Sequence, residues 1–111
     1  MVHRCVEAAS PFERRVDILD LRTIIPWDRE AVLESVKRTG KVLIVHEDTI
    51  TGGFAGEITS VIAREAFTYL DAPIERMATP DVPIPYSVPA MNALLPSVEK
   101  IRKKMERLLE F

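Results

Sequence analysis

The sequence is poor in the residues that most often announce a chemistry. Its 111 residues include one cysteine, Cys5, two histidines, one tryptophan and four glycines. A lone thiol excludes an internal disulfide, and His3, Cys5 and His46 have no recognisable metal-ligand spacing. The formal charge of -2, from 15 basic and 17 acidic residues, gives no electrostatic basis for a nucleic-acid partner. No apolar run approaches the roughly 18 residues of a membrane-spanning helix, so no membrane partner is expected. The opening "MVHRCVEAAS" lacks the apolar core and cleavage site of a secretory signal. The expected location is therefore the cytoplasm, or the mitochondrial matrix in a eukaryote. The length suits one core, so residues 1–111 are read as a single domain.

What is present is an alternation of strand-like and helix-like stretches. "VDILDL", Val16 to Leu21, carries β-branched residues and partial alternation, which predicts a strand. Asp28 is placed to cap a helix over "REAVLESVKRT", with Val32, Leu33 and Val36 on one face and Gly40 just past its end. "VLIVH" is continuously apolar, as in a parallel strand covered on both faces. A second helix is predicted over about Gly53 to Leu70, burying Phe54, Ile58, Val61, Ile62 and Tyr69. "APIERMA" reads as a third strand. Strand, helix, strand, helix, strand implies an α/β fold: three layers, with a mostly parallel sheet and helices on both faces.

Five of the eight prolines, Pro80, Pro83, Pro85, Pro89 and Pro96, then fall in one connector. Because proline lacks a donor and fixes φ, the connector is predicted to be neither helix nor central strand. It is either a strap over the core or a surface that recognises a partner. The last helix, Ser97 to Glu110, has Val98, Ile101, Met105 and Leu108 on one face. Its Lys100, Lys103, Lys104 and Arg107 read as a solvated face.

The most conspicuous stretch is "KVLIVHEDTITGGFAGEI", where the best strand runs into acids, a glycine pair and a helix. A dinucleotide fingerprint needs G-x-G-x-x-G, but Thr51 stands where the first glycine would be and only Gly53 and Gly56 fit. No Lys-Ser or Lys-Thr pair follows, which excludes a P-loop. Gly52 and Gly53 are better explained by a tight turn and close helix-to-sheet packing. His46 ends the strand beside Glu47, where open α/β sheets collect ligands, and is the leading ionisable candidate. Alternation along the strand nevertheless sends His46 and Glu47 to opposite sides. A Cys5–His46 nucleophilic dyad would need a contact that spacing does not provide. Nothing assembles a nucleophile, a base and an oxyanion donor, so no catalytic residue is assigned.

"MVHRCVEAA", "VDILDLRTIIPWDREAVLESVKRTGKVLIVHED", "TGGFAGEI", "DAPIERMATPDVPIPYS" and "LPSVEKIRKKMERLLEF" together resemble one family, in its own order. It is the transketolase-like carboxyl-terminal domain of the beta subunit of thiamine diphosphate-dependent 2-oxo acid dehydrogenases, of branched-chain or pyruvate type. The resemblance implies an oxidoreductase with two alpha and two beta subunits, which decarboxylates a 2-oxo acid and passes the acyl group to lipoyl-lysine. It implies thiamine diphosphate and magnesium in the intact enzyme, held by the alpha subunit and another beta-subunit domain, and neither on this chain alone. The implied partners are the alpha subunit, a second beta subunit and the subunit-binding domain of the lipoyl acyltransferase. Partner docking carries over to Phe111 and to Asp71 in "DAP". His46, Glu47, Gly52 and Gly53 become a signature turn without an assigned role.

Two departures accompany the resemblance. The family domain has two strands before the helix at "MVHRCVEAA", one of them central in its sheet, and "SPFERR" replaces a longer helical run with a glycine turn. Pro11 is expected to end the first helix early. A missing central strand would leave ladder groups unpaired unless the neighbours close up, another chain fills the gap, or the sequence is a piece of a longer polypeptide. The leading reading is thus a dehydrogenase fragment serving assembly and docking. The competing readings are a stand-alone protein-interaction module without catalysis and a small-molecule binder at the His46–Gly52 turn.

Overall fold

In the computed structural model, which describes residues 1–111, helix α1 (Val2–Ala9) gives way to a 3-10 turn at Ser10–Phe12. Pro11 stands at the start of that turn and closes the helix early, as its ring and missing donor require. Helix α2 (Arg29–Thr39) begins where the Asp28 carboxylate accepts the Ala31 N–H at 3.0 Å and ends at Gly40, whose φ of 71° is left-handed. Strand β1 (Leu43–Thr49), helix α3 (Ala55–Glu65), strand β2 (Glu75–Thr79), helix α4 (Val88–Leu94) and helix α5 (Val98–Glu110) follow. The sheet has two strands, β1 and β2, paired in parallel with Leu43 opposite Glu75 and Val45 opposite Met77.

Alternation along β1 builds the layers. Val42 and Ile44 pack against a cluster of Val32, Val36, Ile58, Ile62 and Ala66 from α2 and α3. Leu43, Val45 and Met77 pack on the other face, against Ala8, Ile101 and Met105 from α1 and α5. Helices therefore cover both faces, and the continuous apolar run of β1 follows from being covered twice. Ile62 and Ile101, both fully buried, anchor the two layers. The α5 cations face outward, with Lys103 on Glu99 at 2.7 Å and Lys104 on Glu75 at 2.6 Å.

Four expectations need correction. Val16–Leu21 is irregular rather than a strand, because alternation yields a strand only beside a partner edge and none is paired to it. The sheet accordingly has two strands where three were expected. The second helix stops at Glu65, since Ala66 turns to φ −132°, and a 3-10 turn over Phe67–Tyr69 leaves Tyr69 49% exposed rather than buried. The proline-rich connector contains α4, because Pro89 falls in its first turn, where a helix has no use for the missing N–H.

Candidate functional site

Parallel pairing brings the carboxyl ends of β1 and β2 together, and the turn between β1 and α3 is fastened there. The Thr79 hydroxyl, fully buried, shares its one proton between the carbonyls of Glu47 and Asp48, the latter at 2.8 Å, and Ile50 N–H donates to the Thr79 carbonyl at 2.9 Å. The Asp81 carboxylate accepts from Thr51 N–H at 3.0 Å and from the Thr51 hydroxyl at 2.5 Å. Those two bonds, the hydroxyl first, hold the Asp81 carboxyl below its ordinary value. Arg76 Nη1 donates to the Ile50 carbonyl at 3.3 Å.

The glycine pair divides the work of the turn. Gly52 adopts φ 76° with open space around it, so its need is conformational. A Cβ at Gly53 would overlap the Thr49 carbonyl oxygen and lie 2.6 Å from His46 Cε1, so its need is close approach. At Gly56 a Cβ would meet only Arg76 Nη1 at 3.9 Å.

His46 and Glu47 diverge. The His46 ring turns toward Gly53, with both ring nitrogens buried and without hydrogen-bond partners. Burial pushes its pKa down, Asp48 opposes that shift and Arg76 adds to it. Glu47 turns the other way, 3.6 Å from the Met1 amine. Cys5 lies in the α1 and α5 layer, on the opposite face of β1 from the His46 ring, and burial raises its thiol pKa. A half-buried thiol with a raised pKa is a poor nucleophile, and the sheet separates it from His46. No three or more His, Cys, Asp or Glu side chains are grouped to hold a metal.

The other two candidates lie at the amino end of β1. Asp71 N–H donates to the Gly40 carbonyl at 2.8 Å, and Lys41 Nζ donates to the Leu109 carbonyl at 3.1 Å. Gly40 and Lys41 thus tie Asp71 and the end of α5 to one corner, where Phe111 is 70% exposed. The structure therefore separates the six sequence candidates into two groups, Asp71 and Phe111 at the amino end of β1, and His46, Glu47, Gly52 and Gly53 from its middle to the turn beyond it; His46 does not end the strand as expected, because β1 continues to Thr49 through its parallel pairing with Thr79. Sequence reasoning missed Thr51, Thr79 and Asp81, which the signal of two parallel strands ending side by side could have found.

One further feature flanks β1: a cavity of about 540 Å³ between the strand and Val16–Ile24, lined chiefly by aliphatic side chains and closed below by α2, α3 and α5.

Residues 1–101 match the family described as "Transketolase, C-terminal domain". The chain is 38% identical over 114 residues to the 2-oxoisovalerate dehydrogenase subunit beta of Bacillus subtilis, covering 99% of this chain and 35% of that protein. It is 42% identical over 91 residues to the pyruvate dehydrogenase E1 component subunit beta of Rickettsia conorii, covering 78% and 28%. Against the mitochondrial 2-oxoisovalerate dehydrogenase subunit beta of Dictyostelium discoideum it is 52% identical over 69 residues, covering 62% and 19%. The chain thus spans about a third or less of the curated relatives it matches. Its layered parallel sheet, its order of elements and this match agree, and the chain belongs to the transketolase carboxyl-terminal domain family.

Proposed function

We propose that the chain serves as the carboxyl-terminal part of the beta subunit of a thiamine diphosphate-dependent 2-oxo acid dehydrogenase, of branched-chain or pyruvate type. The whole enzyme would decarboxylate the 2-oxo acid oxidatively and pass the acyl group to lipoyl-lysine. This part would supply contacts to the alpha subunit and a second beta subunit, and a docking end for the subunit-binding domain of the acyltransferase. The observation that supports this reading is that the adjacent residues Gly40 and Lys41 bond to Asp71 and to Leu109, two residues before the exposed Phe111. An exposed aromatic side chain beside charged groups is the usual anchor of such an interface. The proposed location is the cytoplasm in a bacterium and the mitochondrial matrix in a eukaryote.

The signature turn does not fit a diphosphate. Its Thr51 donors are engaged by the Asp81 carboxylate, which an incoming anion would meet there. Thiamine diphosphate and magnesium therefore belong, in this reading, to the alpha subunit and the rest of the beta subunit. The turn acts as a rigid joint.

The test is calorimetric titration of the chain with the subunit-binding domains of a branched-chain and a pyruvate acyltransferase in turn. Deleting Phe111 is expected to weaken binding of the cognate domain by about tenfold or more, the loss of about 1.4 kcal/mol or more typical of an aromatic anchor. Unchanged affinity would remove the docking assignment. A second reading, an interaction module without catalysis, is favoured by the open cavity beside β1.

A further inference from the structure

A second groove, of about 670 Å³, lies along β2 between Arg76–Thr79, the segment Ala93–Pro96 and helix α5. The helix contributes Lys100, Lys103, Lys104 and Arg107, whose spacing of three, four and seven residues puts all four on one face. No acidic residue lines the groove. In a chain of net charge -2, this is a concentrated strip of positive charge. Lys103 pairs with Glu99 at 2.7 Å and Lys104 with Glu75 at 2.6 Å. Both side chains of the Lys103–Glu99 pair are largely exposed, so the pair opens at little cost. Lys100 Nζ donates to the Ala93 carbonyl at 3.4 Å, and Arg107 forms no ion pair.

The same groove is bordered by free backbone. Glu75 N–H donates to the Val42 carbonyl and the Thr79 carbonyl accepts from Ile50 N–H, so the odd-numbered residues of β2 turn their backbone groups toward β1. Arg76 and Ala78 turn theirs outward, where no third strand is paired. Lysines near such an edge ordinarily guard it against chance pairing. A guard of one charge is also a filter: it disfavours a basic strand and attracts an acidic one. A second copy of β2 brings Arg76 together with Glu75 and gains nothing there. A small anion or an acidic helix would meet the cations but leave the Arg76 and Ala78 groups to water, since a helix has its own backbone paired. An extended acidic segment serves both. Met77 packs against Ile101 and Met105, so α5 covers one face of the sheet, and alternate side chains of an added strand would stand on that face. Residues four apart on α5 lie about 6 Å apart along its axis, close to the roughly 6.6 Å between alternate residues of a strand.

We propose that the outer edge of β2 and the α5 cations form a docking groove for an extended acidic segment of a partner protein, with carboxylates at alternate positions. Its backbone bonds to Arg76 and Ala78, and its carboxylates meet Lys100, Lys103, Lys104 and Arg107. Neither Asp71 nor Phe111 lines the groove, so this assignment and the proposed docking end can fail separately.

The probe is an acetylated octapeptide alternating glutamate and threonine, added to the full chain. One control replaces each glutamate by lysine, and the other carries proline at its two central positions. Amide hydrogen exchange at Arg76 and Ala78 is expected to slow by about tenfold or more at saturating probe and to stay unchanged with either control. The Phe111-deleted chain is expected to respond in the same way. Lys100→Glu combined with Arg107→Glu, both at exposed positions, is expected to lose the protection. No protection at saturating probe, equal protection by either control, or full protection in the double variant overturns the proposal. Protection by millimolar phosphate alone overturns it in favour of a small-anion site. Displacement of the probe by an equal concentration of single-stranded oligonucleotide overturns it in favour of nucleic acid. Protection without peptide, together with a dimer mass in solution, overturns it in favour of a second copy.

Discussion

The two ends of β1 differ in how much their sequence promises and how much their structure leaves open. The carboxyl end holds the histidine, two acids and the glycine pair, yet most of its polar groups are engaged within the chain: Thr79 with the Glu47 and Asp48 carbonyls, Thr51 with Asp81, Arg76 with Ile50. The amino end is unremarkable in sequence, but Gly40 holds Asp71 there, Lys41 reaches the Leu109 carbonyl, and Phe111, two residues further on, is left largely in solvent. A conspicuous motif here records steric constraint, whereas the surface proposed for a partner comes from residues that form no motif.

The largest expected effect comes from testing that constraint. Gly53→Ala forces a methyl group into the Thr49 carbonyl and the His46 ring, and backbone cannot move aside as a flexible side chain can. A loss of about 3 kcal/mol is expected, a fall in Tm of about 10 °C or more for a domain of this size. Gly52→Ala meets only the left-handed penalty of about 1 kcal/mol, since nothing lies within 4 Å of its added methyl. Thermal melts of the two variants check the order. Equal losses would mean that conformation, and not the His46 contact, governs the turn.

A smaller effect is expected at the opposite end. Gly40→Ala combines a φ of 71° with overlap on the Asp71 carboxylate, which can swing away, and a close approach of 3.2 Å to the Tyr69 carbonyl oxygen, so about 2 kcal/mol is expected. Swinging Asp71 away disturbs the corner proposed for docking, whereas Gly52→Ala does not reach it. Titration with the acyltransferase subunit-binding domain should therefore show weaker binding for Gly40→Ala and unchanged binding for Gly52→Ala. The reverse pattern would place docking at the turn and undo the contrast between the ends.

The elements that the sequence made legible are those whose signals are local. Asp28 and Gly40 bound α2 because a cap and a left-handed residue act within one turn, and the apolar run of β1 follows from cover on both faces. Val16–Leu21 was misleading because a strand exists only with a neighbouring edge, and no local pattern can show whether that edge is supplied. Pro89 misled in the opposite direction: the residue that forbids a helix interior suits a helix start. The glycine roles at the turn could be argued from the sequence, but Asp81, thirty residues from Thr51, became visible only when the two strand ends lay side by side. Asp71 and Phe111 were named through family resemblance, and their shared corner depends on Lys41 reaching Leu109 across the fold.

The smallest effect concerns His46, and its sign is fixed by burial. Its pKa lies below the ordinary 6.5 in the folded chain, because burial disfavours the charged ring and Arg76 reinforces this more weakly than Asp48 opposes it. The unfolded chain therefore binds a proton first as pH falls. Stability from a neutral His46 is fully present above about pH 6.5 and is lost progressively as pH drops through the lower folded value. Asp81 contributes in a separate window: its folded pKa is below 3.8, so its stabilisation persists until the solution is more acidic still. Melting the chain between pH 7 and 5 should show a modest decline in Tm that is absent from His46→Gln, which cannot be protonated. Glutamine need not match the native stability for this test, since only the slope with pH is compared. Identical slopes would show that another group titrates, and that the unpartnered ring nitrogens find partners in solution. The turn would then be less rigid than the Gly53 contact requires, and its difference from the docking end correspondingly smaller.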